Sequence, residues 1–477
     1  MKKTPALSVS PKRADALDAL RGLAVLAMVL SGTLPFGGVL PAWMYHAQLP
    51  PPDNTFNPNV PGLTWVDLVF PMFLFALGAA IPLSGSRAIA RGWNWFQISL
   101  SILKRGFLLG TFAIFVQHVR PTQINPLPGE EKWWLGLWGF GLLVLCYARW
   151  PKSWPVWLRY GLTGAGWMGA LRLLDRIPYP DGSGFSLERS DIILTILANM
   201  AVFGASIWFL TRERRSIRLG LLVILLALWL SSSSPGWVAT VWSASPIPWL
   251  FQFEYLKYLF IVIPGTIVGD LILEWLQDLQ DREEVFTWSS WQFLGIGAIG
   301  VLSIFGLLVG LQGRWVGQTT VLILCLYGLG FAWIQNPIRP TEKLISELYR
   351  WSGLWLTLGL FFEPFQGGIK KDSATLSYFF VTLGISLLIF IFLSISIEFF
   401  DWGKFFYFSI ETGKNPMIGY IGFGNLIWPI LSLTGWYESI EEMDLPPWEK
   451  FGVAVIYTIS IAFLVKIFNQ FKIFMRT

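Results

Sequence analysis

Charge, histidine and cysteine are all scarce in this sequence. Asp, Glu, Lys and Arg make up 14% of its 477 residues, against about a quarter in a soluble domain. So little charge leaves apolar runs that water would not tolerate. This excludes an ordinary soluble protein, although the length would suit two or three soluble domains. The two cysteines, Cys146 and Cys325, both lie inside apolar runs, so neither a disulfide framework nor a metal site is expected. The net charge is +5, yet no basic run stands apart from the positions that flank apolar segments. Nucleic acid is therefore not an expected partner.

What is present points to a bilayer. Hydrophobic residues are 54% and mean hydropathy is +0.55. The 27 tryptophans are far above ordinary usage, and tryptophan collects at the membrane–water interface. A crossing helix needs about 20 apolar residues. Such runs lie at 17–35, 64–85, 98–118, 133–149, 154–174, 191–211, 217–234, 255–276, 289–312, 317–335, 350–364, 374–399, 415–435 and 448–470. The expected fold is all-α: a polytopic transmembrane helical bundle of about 14 spans, one integral membrane domain over 1–477. No soluble domain and no internal repeat is visible. The spacings Gly106–Gly110 and Gly306–Gly310 suit close helix packing.

Cytoplasmic loops carry the excess of Lys and Arg. Lys2, Lys3, Lys12 and Arg13 precede the first apolar run, and no small-residue cleavage site follows it. The reading is an uncleaved first helix with the N-terminus inside. Loops 36–63 and 235–254 then fall outside and hold no Lys or Arg. Arg87, Arg91, Lys104, Arg105, Arg149, Lys152, Arg212, Arg214, Arg215 and Arg218 fall inside, as does the tail with Lys466, Lys472 and Arg476. Both termini are expected to be cytoplasmic. Two segments fit poorly: the internal 277–288 is acidic, and the external 365–373 contains Lys370 and Lys371.

The only histidines, His46 and His118, both fall at the outer face: His46 in loop 36–63, His118 at the outer end of the third helix. Histidine can take and give a proton near neutral pH; an interfacial histidine bonded to water or backbone is the plainer alternative. Asp67 enters the second helix just ahead of Pro71. Pro71 has no N–H for the carbonyl four residues back, which is that of Asp67. An ionisable group in such a place is a functional candidate. Asp67 could orient His46, or serve as a helix-start carboxylate favoured by the dipole. At the inner face Asp18 and Arg21 are spaced to pair. Arg21, Lys104 and Arg105 could hold a phosphorylated donor, although topology alone accounts for Lys104 and Arg87. The external turn at 363–372, with Glu363, Lys370, Lys371 and Asp372, shares a face with His46 and could contact an acceptor, or be a solvated loop. Asn415 either joins the donor site or caps a helix that opens at Pro416.

Several of these stretches resemble a family. Leu17-Asp18-Ala19-Leu20-Arg21-Gly22-Leu23-Ala24, the pair His46-Ala47, the run from Gly62 to Pro71, and Lys104-Arg105-Gly106-Phe107-Leu108-Leu109 resemble the membrane acetyltransferases related to heparan-alpha-glucosaminide N-acetyltransferase. Weaker echoes lie at Leu376-Ser377-Tyr378 and at Gly413–Tyr420. The resemblance makes 1–120 the acyltransferase-like core region. About a dozen extra residues, Pro50 to Asn54 among them, depart from the family between His46 and Gly62. The segments 191–234 and 289–335 look like inserted helices.

What the resemblance implies is acetyl transfer across the membrane, from cytosolic acetyl-CoA to an amine or hydroxyl of a sugar or glycan outside. His46 would be the transferring residue, with Asp67 beside it. Arg21, Lys104, Arg105 and Asn415 would bind the donor; His118, Lys370 and Asp372 would face the acceptor. Acetyl-CoA is the co-substrate, membrane lipids are neighbours, and association into a homo-oligomer is left open. The low cysteine count hints at a bacterial inner membrane. Two rival readings remain: a glycan or lipid transporter or flippase, which proline-interrupted helices at Pro71, Pro82 and Pro264 would suit, and a non-catalytic scaffold.

Overall fold

The computed structural model describes residues 14–36, 40–124, 129–177, 179, 182–279 and 286–475. Lys2, Lys3, Lys12, Arg13 and Arg476, used above for topology, lie outside the described residues, as does part of the acidic segment 277–288. The described chain is mainly helical. In order come α1 (Asp15–Gly32), α2 (Val69–Ala90), α3 (Trp95–His118), α4 (Glu131–Tyr147), α5 (Val156–Leu174), α6 (Ile192–Thr211) and α7 (Arg215–Ser231). The short α8 (Trp237–Trp242) precedes α9 (Leu259–Asp278), α10 (Ser290–Gln312), α11 (Val316–Trp333), α12 (Pro340–Phe361) and α13 (Leu376–Ser394). The last part is more broken: α14 (Tyr407–Lys414), α15 (Pro416–Gly422), α16 (Trp428–Leu433), α17 (Trp436–Glu442) and α18 (Pro447–Gln470).

All fourteen apolar segments read from the sequence are helical. Nine helices among the described residues are long and apolar enough to cross a bilayer by themselves, including Val66–Ala90, Trp95–His118 and Leu376–Phe399. The other five fall short for visible reasons. Helix α1 carries Asp15, Asp18 and Arg21 within 18 residues; α4 and α7 are 17 residues long; α5 carries Arg159 and Arg172. The segment 350–364 is the second half of α12, whose first half holds Glu342, Lys343, Glu347 and Arg350.

Local sequence sets the helix starts. Asn94 and Gln97 form a reciprocal capping box on α3, and Ser289 and Gln292 do the same on α10, each satisfying otherwise orphaned N–H groups. The Asp191 side chain caps α6 through Ile193 N and Leu194 N. Pro82 and Pro264 lie inside α2 and α9 without ending them.

The most extensive helix pairings are α12 with α13, α1 with α14, α2 with α9 and α3 with α6. Small residues let α2 and α9 touch backbone to backbone: a Cβ at Gly78 would stand 2.4 Å from the Val262 carbonyl oxygen. The glycine spacings seen in the sequence fall at contacts too, Gly106 against Val202 of α6 and Gly310 against Thr319 of α11. Helix α6 packs on α3, α2 and α9, whereas α10 and α11 pair with each other. A two-residue antiparallel pair, Ala148–Arg149 with Phe474–Met475, ties the C-terminal segment to the end of α4. Large apolar side chains such as Trp157, Tyr160, Phe305 and Val321 face outward, as a lipid-facing surface requires.

Candidate active site

The His46 loop is built from Asp67 outward. Asp67 sits in a short 3-10 turn, Val66–Leu68, that leads into α2. Its Oδ2 accepts the backbone N–H of Thr64 at 3.0 Å and of Ala47 at 3.2 Å. The first of these is half of a capping box, so the helix-start role and the site role coexist in one carboxylate. Oδ1 stands 2.8 Å from His46 Nδ1. Thr64 Oγ1 lies 2.7 Å from the Tyr45 carbonyl and 3.1 Å from Oδ2, and its one proton serves one of them at a time.

Asp67 is 2% exposed and His46 about one-third. The carboxylate can only accept, so His46 donates from Nδ1. In the neutral ring this leaves the lone pair on Nε2. The carbonyl freed by Pro71 also has a partner: the Tyr378 hydroxyl on α13 donates to the Asp67 oxygen at 2.9 Å.

The second wall of the site comes from 363–375. Lys371 Nζ lies 3.3 Å from Nδ1 and 3.4 Å from Nε2 of His46. Partial burial lowers the Lys371 pKa, while Asp67 and Asp372 act to raise it. The two loops are clasped together. Asp372 N donates to Gln48 Oε1 at 2.8 Å, Gln48 Nε2 donates back to the Asp372 carbonyl, and Gly62 N donates to the Ile369 carbonyl at 2.9 Å. Glu363 accepts from Ile369 N and pairs with Arg314 at 2.6 Å. The segment with Pro50 and Asn54 is anchored as well, through Asn54 to the Leu49 carbonyl.

The structure thus brings His46 and Asp67 together, with Lys371 rather than Lys370 against the ring. Lys370 N bonds to Thr375 Oγ1. Asp372 enters through its backbone, and its side chain is exposed. His118 is placed apart from His46. It is buried, with Nδ1 2.7 Å from the Ile114 carbonyl, Nε2 accepting from Ser186 N at 3.3 Å, and Phe185 stacked on its ring.

The opposite end of the bundle holds a cavity of about 360 Å³. Its walls include Asp18 and Arg21 of α1, Phe73 and Arg87 of α2, Arg105 of α3, and Lys414. Arg21 Nη1 bonds Asp18 Oδ1 and the Gly413 carbonyl, each at 3.1 Å. Lys414 pairs with Glu411 at 2.7 Å. Arg105 Nε is buried without a hydrogen-bond partner, as are Nε of Arg159, Arg218 and Arg339. Lys104 is exposed and does not line the cavity. Asn415 occupies the cap position of α15, with Pro416 first in the helix, but its side chain does not cap. Its amide bonds Asn469, the Ile473 carbonyl and Met475 N, fixing the C-terminal segment.

Asp67 and Arg87 lie at the two ends of α2, twenty residues apart (67 to 87), or about 30 Å at 1.5 Å per residue. That matches the apolar thickness of a bilayer. The cavity climbs α2 as far as Phe73, six residues short of Asp67, about 9 Å. Among the described residues no group of three or more His, Cys, Asp or Glu could hold a metal.

A helical membrane bundle with an Asp-oriented histidine at one end of a core helix and a basic cavity at the other is the class that fold and geometry define. Residues 13–275 match the family described as "Domain of unknown function (DUF5009)", and the chain belongs to that family. It is also related to heparan-alpha-glucosaminide N-acetyltransferase. The human (Homo sapiens) protein is 30% identical over 204 residues, 37% of this chain and 28% of the relative. The mouse (Mus musculus) protein is 29% identical over 176 residues, 31% of this chain and 24% of the relative. The chain therefore matches only about a quarter of each relative's length.

Proposed function

We propose that the protein is a transmembrane acetyltransferase. Acetyl-CoA enters the basic cavity from the cytoplasm, and the acetyl group passes to an amine or hydroxyl of a sugar at the opposite face. The observation that carries this reading is the His46–Asp67 pair: a buried, multiply bonded carboxylate fixes Nδ1 and leaves Nε2 on a partly exposed ring. Nε2 then has two routes. As general base it takes the acceptor's proton while the acceptor attacks the thioester carbonyl and the CoA thiolate leaves. As nucleophile it attacks the thioester carbonyl itself, the C–S bond breaks and the CoA thiolate leaves; the acceptor's nitrogen or oxygen then attacks the acetyl carbon, the N–C bond breaks, and the released imidazole takes the acceptor's proton.

Arg21, Arg87 and Arg105 are suited to the donor's phosphates. All three line the one cavity, which supports that assignment, and guanidinium is the side chain best matched to phosphate oxygens. The relatives' name supports acetyl transfer to an amino sugar. Residues 1–120 form the reacting core, both termini lie in the cytoplasm, and the five helices that are short or charged add to the nine apolar ones as spans. A bacterial inner membrane is the proposed location.

The test is CoA release by the purified protein in detergent, with acetyl-CoA and glucosamine as probes, comparing wild type and His46→Ala. Transfer in the wild type and its loss in the variant are expected. Equal transfer by both removes His46 from the mechanism. No transfer by either removes the enzyme reading in favour of transport.

A further inference from the structure

A second cavity, of about 340 Å³, opens where the end of α1 meets the C-terminal helices. Its volume falls in the range of small-molecule sites, about 300–1,000 Å³. Residues 32–36 form one side, and Trp428 of α16, Tyr437 and Glu441 of α17, and Lys450 and Tyr457 of α18 form the other. The cavity adjoins the His46 loop. Tyr45, next to His46 in the chain, donates its hydroxyl to the Pro35 carbonyl at 2.6 Å, and its ring centroid lies 5.8 Å from that of Phe36. Pro35 and Phe36 both line the cavity.

Its lining has an aromatic half and a polar half. Phe423 and Trp428 are 19° from parallel with centroids 6.2 Å apart; Tyr457 lies 5.1 Å from Phe423, and Tyr437 lies 5.7 Å from Trp428. The chain between Phe423 and Trp428 widens into a π-helical turn, Phe423–Ile427. Such turns shift side chains out of the regular helical register and concentrate at functional sites. Glu441 and Lys450 form no ion pair, with each other or with any other described residue, and the hydroxyls of Tyr437 and Tyr457 have no hydrogen-bond partner among the described residues.

That combination selects a ligand class. An acyl chain would cover the rings but cut a carboxylate, an ammonium and two phenols off from water. A phosphate would meet Lys450 but be repelled by Glu441. A pyranose suits both halves: its C–H face lies on an aromatic ring, and its hydroxyls reach edge groups that donate and accept. An amino sugar adds an ammonium for Glu441.

We propose that this cavity is a saccharide subsite, which holds one unit of an amino-sugar oligomer while a neighbouring unit reaches His46. Its link to acetyl transfer rests on the function proposed above; the binding does not.

The test is calorimetric titration of the full chain, in a detergent without a sugar headgroup. The probes are glucosamine, its β-1,4-linked tetramer and the N-acetylated tetramer. Wild type should bind the glucosamine tetramer more tightly than the monomer. Tyr437→Ala should weaken the tetramer about tenfold, the scale of one lost ring contact with its buried area, and Tyr437→Phe should restore it. Glu441→Gln should weaken the glucosamine tetramer about two- to fivefold, as for an exposed ion pair, and leave the N-acetylated tetramer unchanged.

A wild type that binds the tetramer no more tightly than glucosamine overturns the proposal, as does a folded Tyr437→Ala protein that binds it like wild type. If Tyr437→Ala fails to fold, Glu441→Gln decides, because its side chain is exposed; unchanged tetramer binding there overturns the amino-sugar assignment. His46→Ala should keep the tetramer binding. Tyrosine-dependent binding in a wild type that transfers no acetyl group would leave the subsite standing and defeat only the acyl-transfer reading.

Discussion

Replacing Asp67 by Asn probes the site most sharply, because it keeps the volume and changes the proton inventory. Oδ2 accepts from two backbone donors, Thr64 N and Ala47 N, and Oδ1 accepts from His46. An amide has one oxygen. Pointing it at the two backbone N–H groups keeps two bonds; pointing it at His46 keeps one and aims an NH2 at two donors. The first arrangement wins by at least one hydrogen bond plus the cost of buried donors without acceptors, about 1–3 kcal/mol for each such donor. The amide NH2 then faces His46 Nδ1, which must accept, so the ring proton moves to Nε2. A ring carrying its proton there is the wrong tautomer for a base or nucleophile. The expected loss in kcat is on the order of 10³- to 10⁴-fold, or about 4–5.5 kcal/mol of barrier, with the acceptor KM little changed. Nitrogen NMR of protein labelled at its two histidines reads the tautomer, and CoA release reads the rate. An Asp67→Asn protein that stays folded, keeps Nδ1 protonated and transfers at the wild-type rate would refute the orientation argument.

Other substitutions separate packing from chemistry. Tyr378→Phe removes the donor to the carbonyl that Pro71 leaves free and is expected to lower stability by about 1–3 kcal/mol, read as thermal unfolding in detergent. Arg105→Gln should raise the acetyl-CoA KM roughly tenfold or more, the scale of one charge-assisted hydrogen bond, and leave the acceptor KM in place; a change confined to the acceptor would move Arg105 out of the donor site. Gly413→Ala would place a Cβ 1.7 Å from the Asp18 carbonyl oxygen, forcing α1 and α14 apart, and should abolish folded yield where Gly141→Ala, with open space around it, does not. Lys371 has a depressed pKa in the folded state, so between that value and its ordinary one the unfolded chain binds more protons. Its contribution to stability therefore rises with pH across that window. Lys371→Met should flatten this part of the stability profile, and an unaltered slope would count against the burial of the ammonium.

Much of the architecture was legible because the bilayer demands long apolar runs, and each such run is a helix. The boundaries of a span were less legible. The charged first half of α12 hides a helix that the apolar window 350–364 only clips. The His46–Asp67 pairing was readable from its short sequence separation and from the opening that Pro71 makes in α2. The partner of the freed carbonyl was not, since Tyr378 lies 311 residues away. Lys371 was read only as one member of the charged external turn, and its place against the His46 ring, 325 residues away, was not readable for the same reason. His118 was placed at the outer end of α3, but no local pattern reveals that Phe185 and Ser186 fold over it. Asn415 followed a good capping pattern and was claimed instead by the C-terminal segment at Ile473 and Met475, a competition that short-range rules do not register.

The most direct measurement of the central claim uses sealed vesicles containing the purified protein in known orientation. Labelled acetyl-CoA is trapped on the side of Arg21 and Arg105, and glucosamine is supplied only on the side of His46. Label should appear in the sugar outside with wild-type protein, and not with His46→Ala. Label that appears only when donor and acceptor share one side, or that crosses equally well in His46→Ala, would contradict transfer through the bilayer by this site.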